Sequence, residues 1–93
     1  MYSFVYFMAN THNNVLYLGV TSNLEKRVWE HKNDIDKGSF VYRYSCHKLV
    51  YYEAFGSIKY AIAREKQLKN WKREWKNKLI TEGNPDWKEL SIT

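Results

Sequence analysis

The stretch YSFVYFMANTHNNVLYLGVTSNLEKRVWEHK, Tyr2 to Lys32, decides how the chain is read. Tyr2, Phe4, Tyr6 and Met8 alternate with Ser3, Val5 and Phe7, the period of a strand whose successive side chains face opposite ways. After a polar turn of Asn10, Thr11, His12, Asn13 and Asn14, the residues Val15 to Val20 alternate in the same manner. An antiparallel hairpin turning near Thr11 sets Tyr6 opposite or diagonal to Tyr17, with both hydroxyls on one side. Val5, Phe7, Leu16, Leu18 and Val20 then cover the core side. Gly19 shares the Tyr17 face, where a strand glycine lets a backbone or a ligand approach closely. Ser22 followed by Glu25 has capping-box spacing, so a helix is expected from near Asn23 to about Lys32. Leu24 and Val28 mark its buried stripe, and Arg27 and His31 flank that stripe on one face. Tyrosine, arginine and histidine thus fall on faces that a core would fill with apolar groups.

Outward from this stretch the pattern weakens and then recovers. Asn33 to Cys46, with Gly38, Ser39 and mixed charges, has no sustained period and reads as a loop able to cover a groove. His47 to Phe55 reads as a third strand, with Leu49, Tyr51 and Glu53 on one face and Val50, Tyr52 and Ala54 on the other. Gly56 and Ser57 end it, Ser57 being a candidate helix cap. From Ile58 to about Ile80 a single long helix is expected on the spacing of Ile58, Ala61, Ile62, Leu68, Trp75 and Leu79. Glu65 falls inside that stripe, where a carboxylate is costly unless paired, protonated or bound to metal. Lys66, Lys69, Lys72, Arg73 and Lys76 concentrate the positive excess on the same helix. Gly83, Asn84 and Pro85 end it, and the following tail is expected to dock through Trp87 and Leu90.

A length of 93 residues allows one domain, spanning 1–93, and a hydrophobic content of 44% argues against disorder. A net charge of +5 favours an anionic partner, nucleic acid ahead of an acidic membrane surface. Cys46 is the only cysteine, which precludes an internal disulfide and a Cys-rich zinc site, so any metal must be held by oxygen or imidazole. No apolar run nears membrane-spanning length, and the polar residues from Asn10 interrupt any signal-peptide pattern. A soluble cytoplasmic protein is expected.

Phe4-Val5-Tyr6 and Tyr17-Leu18-Gly19 stand where two signature tripeptides stand on adjacent strands of the GIY-YIG nuclease superfamily, which this sequence resembles. The resemblance extends through the helix of Arg27 and His31, the Ala61 to Lys69 segment around Glu65, and the ending Asn84-Pro85-Asp86-Trp87. It is nearest to small stand-alone bacterial GIY-YIG proteins, themselves similar to the amino-terminal nuclease module of the bacterial excision-repair nuclease. Phe4 departs from the pattern, which has glycine there. The resemblance implies an α+β, GIY-YIG-like fold with a small, three-stranded, mainly antiparallel sheet, flanking helices and the order β-β-α-β-α.

It further implies a metal-dependent endonuclease hydrolysing DNA phosphodiester bonds, by nicking, in DNA repair, recombination or mobile-element processing. Glu65 would hold one divalent ion, Mg2+ or Mn2+. Tyr6 would accept the proton of the attacking water, Tyr17 would orient that water or the phosphate, Arg27 would clamp the phosphate, and His31 would orient Tyr6 or share the proton work. Lys66, Lys69, Lys72, Arg73 and Lys76 would contact nucleic acid, with Gly19 and Asn77 as accessory positions. No small-molecule cofactor is implied. The alternative is a non-catalytic nucleic-acid-binding module on the same scaffold.

Taken singly, these residues have ordinary structural readings. Tyr6 and Tyr17 are compatible with half-buried sheet aromatics, Arg27 with an ion pair to Glu30, and Glu65 with an ion pair to Arg64 or Lys69. Their coincidence in one short chain favours a catalytic cleft between the hairpin, the first helix and the start of the long helix.

Overall fold

A computed structural model describes residues 1–92. Strands β1 (Ser3–Ala9), β2 (Leu16–Thr21) and β3 (Lys48–Phe55) form one antiparallel sheet in the order β2-β1-β3. Helix α1 (Leu24–Lys32) and the short α2 (Phe40–Tyr44) lie between β2 and β3 in the chain, and α3 (Ile58–Lys69) and α4 (Arg73–Gly83) follow β3. The fold class is the α+β arrangement expected, with one helix more in each of two places.

β1 is the central strand, paired on both edges, and other elements pack on both of its faces, which is why its sequence is apolar on both. Val5, Phe7 and Ala9 pack with Val50, Ala61, Leu68 and Ile80 beneath α3 and α4, and Leu16, Leu18 and Val20 close this side. Tyr6 and Met8 face the other way, toward Leu24 and Val28 of α1, Val41 of α2, and Cys46 and Leu49. A fully buried side chain the size of Phe7 or Leu68 contributes roughly 2 kcal/mol. The polar face of the hairpin is therefore also a packed face, and the site must be built inside it.

Four local features depart from the sequence reading, each for an identifiable reason. The cap of α1 is Asn23, not Ser22: its side chain accepts from the Lys26 N–H, while the Asn23 N–H is taken by Thr21 Oγ1. Residues 40–44, read as loop, form α2 because Ser39 accepts from the Tyr42 N–H and Ser45 closes the turn at φ 55°. In β3 the pairing passes from Phe7↔Tyr51 to Met8↔Leu49, a bulge that skips Val50. Leu49 thereby joins the Tyr6 side and is separated from Tyr51, which stays beside Phe7 with ring centroids 6.1 Å apart. The long helix is two helices. The Asn70 side chain turns back to donate to the Lys66 carbonyl, and Trp71 folds under the Arg64 guanidinium at 5.3 Å. Arg64 is itself fixed by a two-pronged bond to Glu53 of β3, at 3.0 Å from both Nε and Nη2. The Tyr51 hydroxyl donates to the same carboxylate and is pushed above the ordinary phenol value, first by burial and then by that bond. Ser57 occupies the cap position of α3 but its hydroxyl makes no cap bond.

The tail docks as expected and a little further. Asn84, buried, donates to the Val50 and Lys88 carbonyls and accepts from the Lys88 N–H. Leu90 N–H then bonds the Leu49 carbonyl at 2.8 Å, Trp87 joins the Val5 side, and Leu90 and Ile92 reach the Tyr6 side. Asn84→Ala leaves these backbone groups without their partner, and the expected loss is about 2 kcal/mol. Urea unfolding monitored by Trp fluorescence checks it.

Candidate active site

The register places Tyr6 directly opposite Gly19, and Tyr17 further along the same strand, opposite Met8. A Cβ on Gly19 would lie 2.5 Å from both Cζ and the hydroxyl oxygen of Tyr6. The space that a strand glycine opens is thus filled by the phenol ring of the neighbouring strand. Tyr6 lies across it only 1% exposed, and Tyr17 stands diagonal with ring centroids 6.1 Å apart.

One helical turn of α1 completes the cluster. Tyr6 Oη and His31 Nε2 are 2.9 Å apart, and the His31 ring lies edge-on to Tyr17 at 5.3 Å. Burial, and after it the Arg27 charge, pull the imidazole down to about 4, so it is neutral at physiological pH. Burial also raises the Tyr6 hydroxyl well above the ordinary phenol value, the charge on Tyr17 adding to this and Arg27 opposing it. With His31 neutral, the tautomer protonated at Nδ1 leaves Nε2 a lone pair that accepts the phenol proton of Tyr6. Arg27 itself is partly exposed and bonded to Glu30 Oε1 at 3.0 Å.

Tyr17, Arg27 and His31 line a cavity of about 310 Å³, and Ser39, Phe40 and Tyr42 form its opposite wall. The 33–46 segment therefore builds half of the cavity. The five residues of α2 are too few to show a period, and Ser39 ahead of an aromatic run is the only cue the sequence offers. Glu30, Asp34 and Asp36 also border the cavity, and Asp34 bonds His47 Nε2 at 2.7 Å.

Glu65 is not among the residues that line this cavity. It lies half-buried on α3 between Ala61 and Leu68, which belong to the Val5 side, and α3 reaches β2, the strand of Tyr17. Of its two expected structural partners, Arg64 is engaged elsewhere, holding Glu53 and Gln67, and Lys69 does not pair with it. Among the described residues the Glu65 carboxylate has no hydrogen bond or ion pair. Lys66, Lys69 and Lys72 are exposed, whereas Arg73 is committed to holding the β1–β2 turn through the carbonyls of Asn13 and Asn14 and to Asn77 at 2.8 Å. Arg73 and Asn77 thus serve each other and the turn.

The depressed His31 gives a pH test with a definite sign. The unfolded chain protonates this imidazole near its ordinary value of about 6.5, and the folded protein only near 4. The stability that His31 contributes is complete above about pH 6.5 and is lost as pH falls towards 4. His31→Gln is expected to flatten this acid limb in melting temperatures recorded from pH 7 to 4.

Comparison with known proteins gives the family and agrees with the fold. The GIY-YIG catalytic domain family matches residues 2–90. A UPF0213 protein of Haloquadratum walsbyi is 33% identical over 82 residues, covering 88% of this chain and 90% of that protein. A UPF0213 protein of Staphylococcus saprophyticus is 37% identical over 68 residues, covering 73% and 82% respectively. The solution NMR structure of a UPF0213 protein from Bacillus halodurans superposes over the whole of both chains with a TM-score of 0.58 at 24% identity, a likeness of fold. The chain belongs to the GIY-YIG catalytic domain family, a family of nucleases.

Proposed function

We propose that this protein is a metal-dependent endonuclease that hydrolyses DNA phosphodiester bonds one strand at a time, in repair, recombination or mobile-element processing. The observation that carries this reading is the convergence of Tyr17, Arg27 and His31 on one cavity, with Tyr6 bonded to His31 behind them. Arg27 clamps the scissile phosphate and offsets the charge that grows on it. Tyr17, at the cavity wall, orients the attacking water. Tyr6 is too buried to touch that water, so its part is to pass a proton from the Tyr17 side to the neutral His31. A phosphate beside Arg27 offsets the charge that helps to depress the imidazole, making His31 a better proton acceptor when substrate is present.

The donor set fits a hard divalent ion. Among the described residues Glu65 is a half-buried carboxylate without a side-chain partner, and no group of three His, Cys, Asp or Glu offers a closed metal cage. Mg2+ suits such a site, since it retains water and takes phosphate oxygens alongside one or two carboxylates. Glu65 would hold it, and when bound it supplies charge stabilisation for the leaving oxygen. Lys66, Lys69, Lys72 and Lys76 contact the DNA backbone, giving affinity that falls with salt.

Supercoiled plasmid and branched DNA incubated with purified protein, with and without Mg2+, test the reading beside Arg27→Ala and Glu65→Ala. Mg2+-dependent nicking that both changes reduce at least about a hundredfold is expected. Equal nicking by all three proteins would assign the activity to a contaminant.

A further inference from the structure

The opposite wall of the cavity has no role in the chemistry above, and its composition is unusual for a solvent-facing surface. Phe40 and Tyr44 are 44% and 43% exposed, and their ring centroids lie 4.6 Å apart. Phe40 also stands 6.1 Å from Tyr17, so the aromatic surface runs without a break from the outside of α2 to the phosphate-facing tyrosine. Tyr42, 42% exposed, lines the cavity beside them. A π-face next to a guanidinium offers stacking and phosphate binding within the reach of a single nucleotide.

The other charges at this place limit what can enter. Glu30, Asp34 and Asp36 border the same cavity as Arg27. In a duplex each base is paired and stacked on its neighbours and offers no free face to the rings of Phe40 and Tyr17, whereas an unpaired base does. A lone strand lays one phosphate on Arg27 and turns a base towards the rings.

Building on the nuclease reading, we propose that the Phe40–Tyr17 wall is a stacking site for an unpaired base next to the scissile phosphate, and that the substrate is a displaced or single-stranded segment. The aromatic side chains fix where the strand lies, and Arg27 fixes its phosphate.

The test is binding in EDTA, without turnover, of a short dye-labelled single strand and of the same sugar-phosphate chain lacking all its bases. The base-bearing strand is expected to bind about tenfold more tightly. Phe40→Ala should abolish most of that difference and Phe40→Tyr should preserve it, with circular dichroism confirming that both variants fold. Equal affinity for the two strands, or a difference unchanged in Phe40→Ala, overturns the proposal. Plasmid nicking is scored separately. Nicking without base discrimination removes the stacking site and leaves the nuclease, while base discrimination without any nicking does the reverse.

Discussion

Gly19→Ala is expected to lower the unfolding free energy by about 1–3 kcal/mol and to reduce nicking at least about a hundredfold. The new Cβ would sit 2.5 Å from the Tyr6 ring and hydroxyl oxygen, well inside contact distance. The ring has no room to retreat, because Met8, Leu24, Val28 and Val41 pack around it. Relief must come from tilting the phenol, which lengthens its 2.9 Å contact to His31 and moves the hydroxyl behind Tyr17. The loss of activity therefore exceeds what reduced stability alone accounts for. Gly56→Ala is the matched control, since nothing lies within 4 Å of a Cβ there. Denaturant midpoints and plasmid nicking at a temperature where both variants are folded separate the two effects. A Gly19→Ala protein with unchanged midpoint and full activity would remove Tyr6 from the mechanism.

The second large effect concerns geometry at constant charge. Arg27→Lys keeps a cation at the cavity but replaces a planar fork of donors by a single ammonium, and the expected fall in nicking rate is about 10²- to 10³-fold. Stability should change by less than about 0.5 kcal/mol, because the pair with Glu30 is part-exposed, with the arginine side chain 42% accessible. Glu30→Gln, which frees the arginine, should retain nicking. Single-turnover cleavage beside thermal melting distinguishes a chemical loss from a structural one, and a lysine variant that cuts at the original rate would rule out two-pronged recognition.

Much of this arrangement is written in the local pattern. Strand alternation gave both faces of the hairpin, and the spacing of Leu24, Arg27, Val28 and His31 placed the arginine and the histidine on the face that meets Tyr6. What local pattern misses is decided by contacts distant in sequence. The break at Asn70–Lys72 is invisible because Leu68, Trp75 and Leu79 keep helical spacing through it, and it depends on Glu53 holding Arg64 over Trp71. The bulge that separates Leu49 from Tyr51 depends on how β3 registers against β1. Within the site, the sequence names Tyr6 and Tyr17 alike, and only the opposition of Tyr6 to Gly19 shows that one is buried and the other faces the cavity. Arg73 reads as one more cation of a basic helix, and its tie to Asn13 and Asn14 appears only once the turn is folded beside α4.

The strap held by Asn84 ties the two sides of the sheet to one another. Leu90 and Ile92 supply part of the wall around Tyr6, and Leu90 also lengthens the sheet by its bond to Leu49. Val50, whose carbonyl the Asn84 amide holds, lies on the other side with Val5 and Phe7. One buried amide therefore couples the two cores, and a change that frees it loosens the cover over Tyr6 from the far side of the sheet.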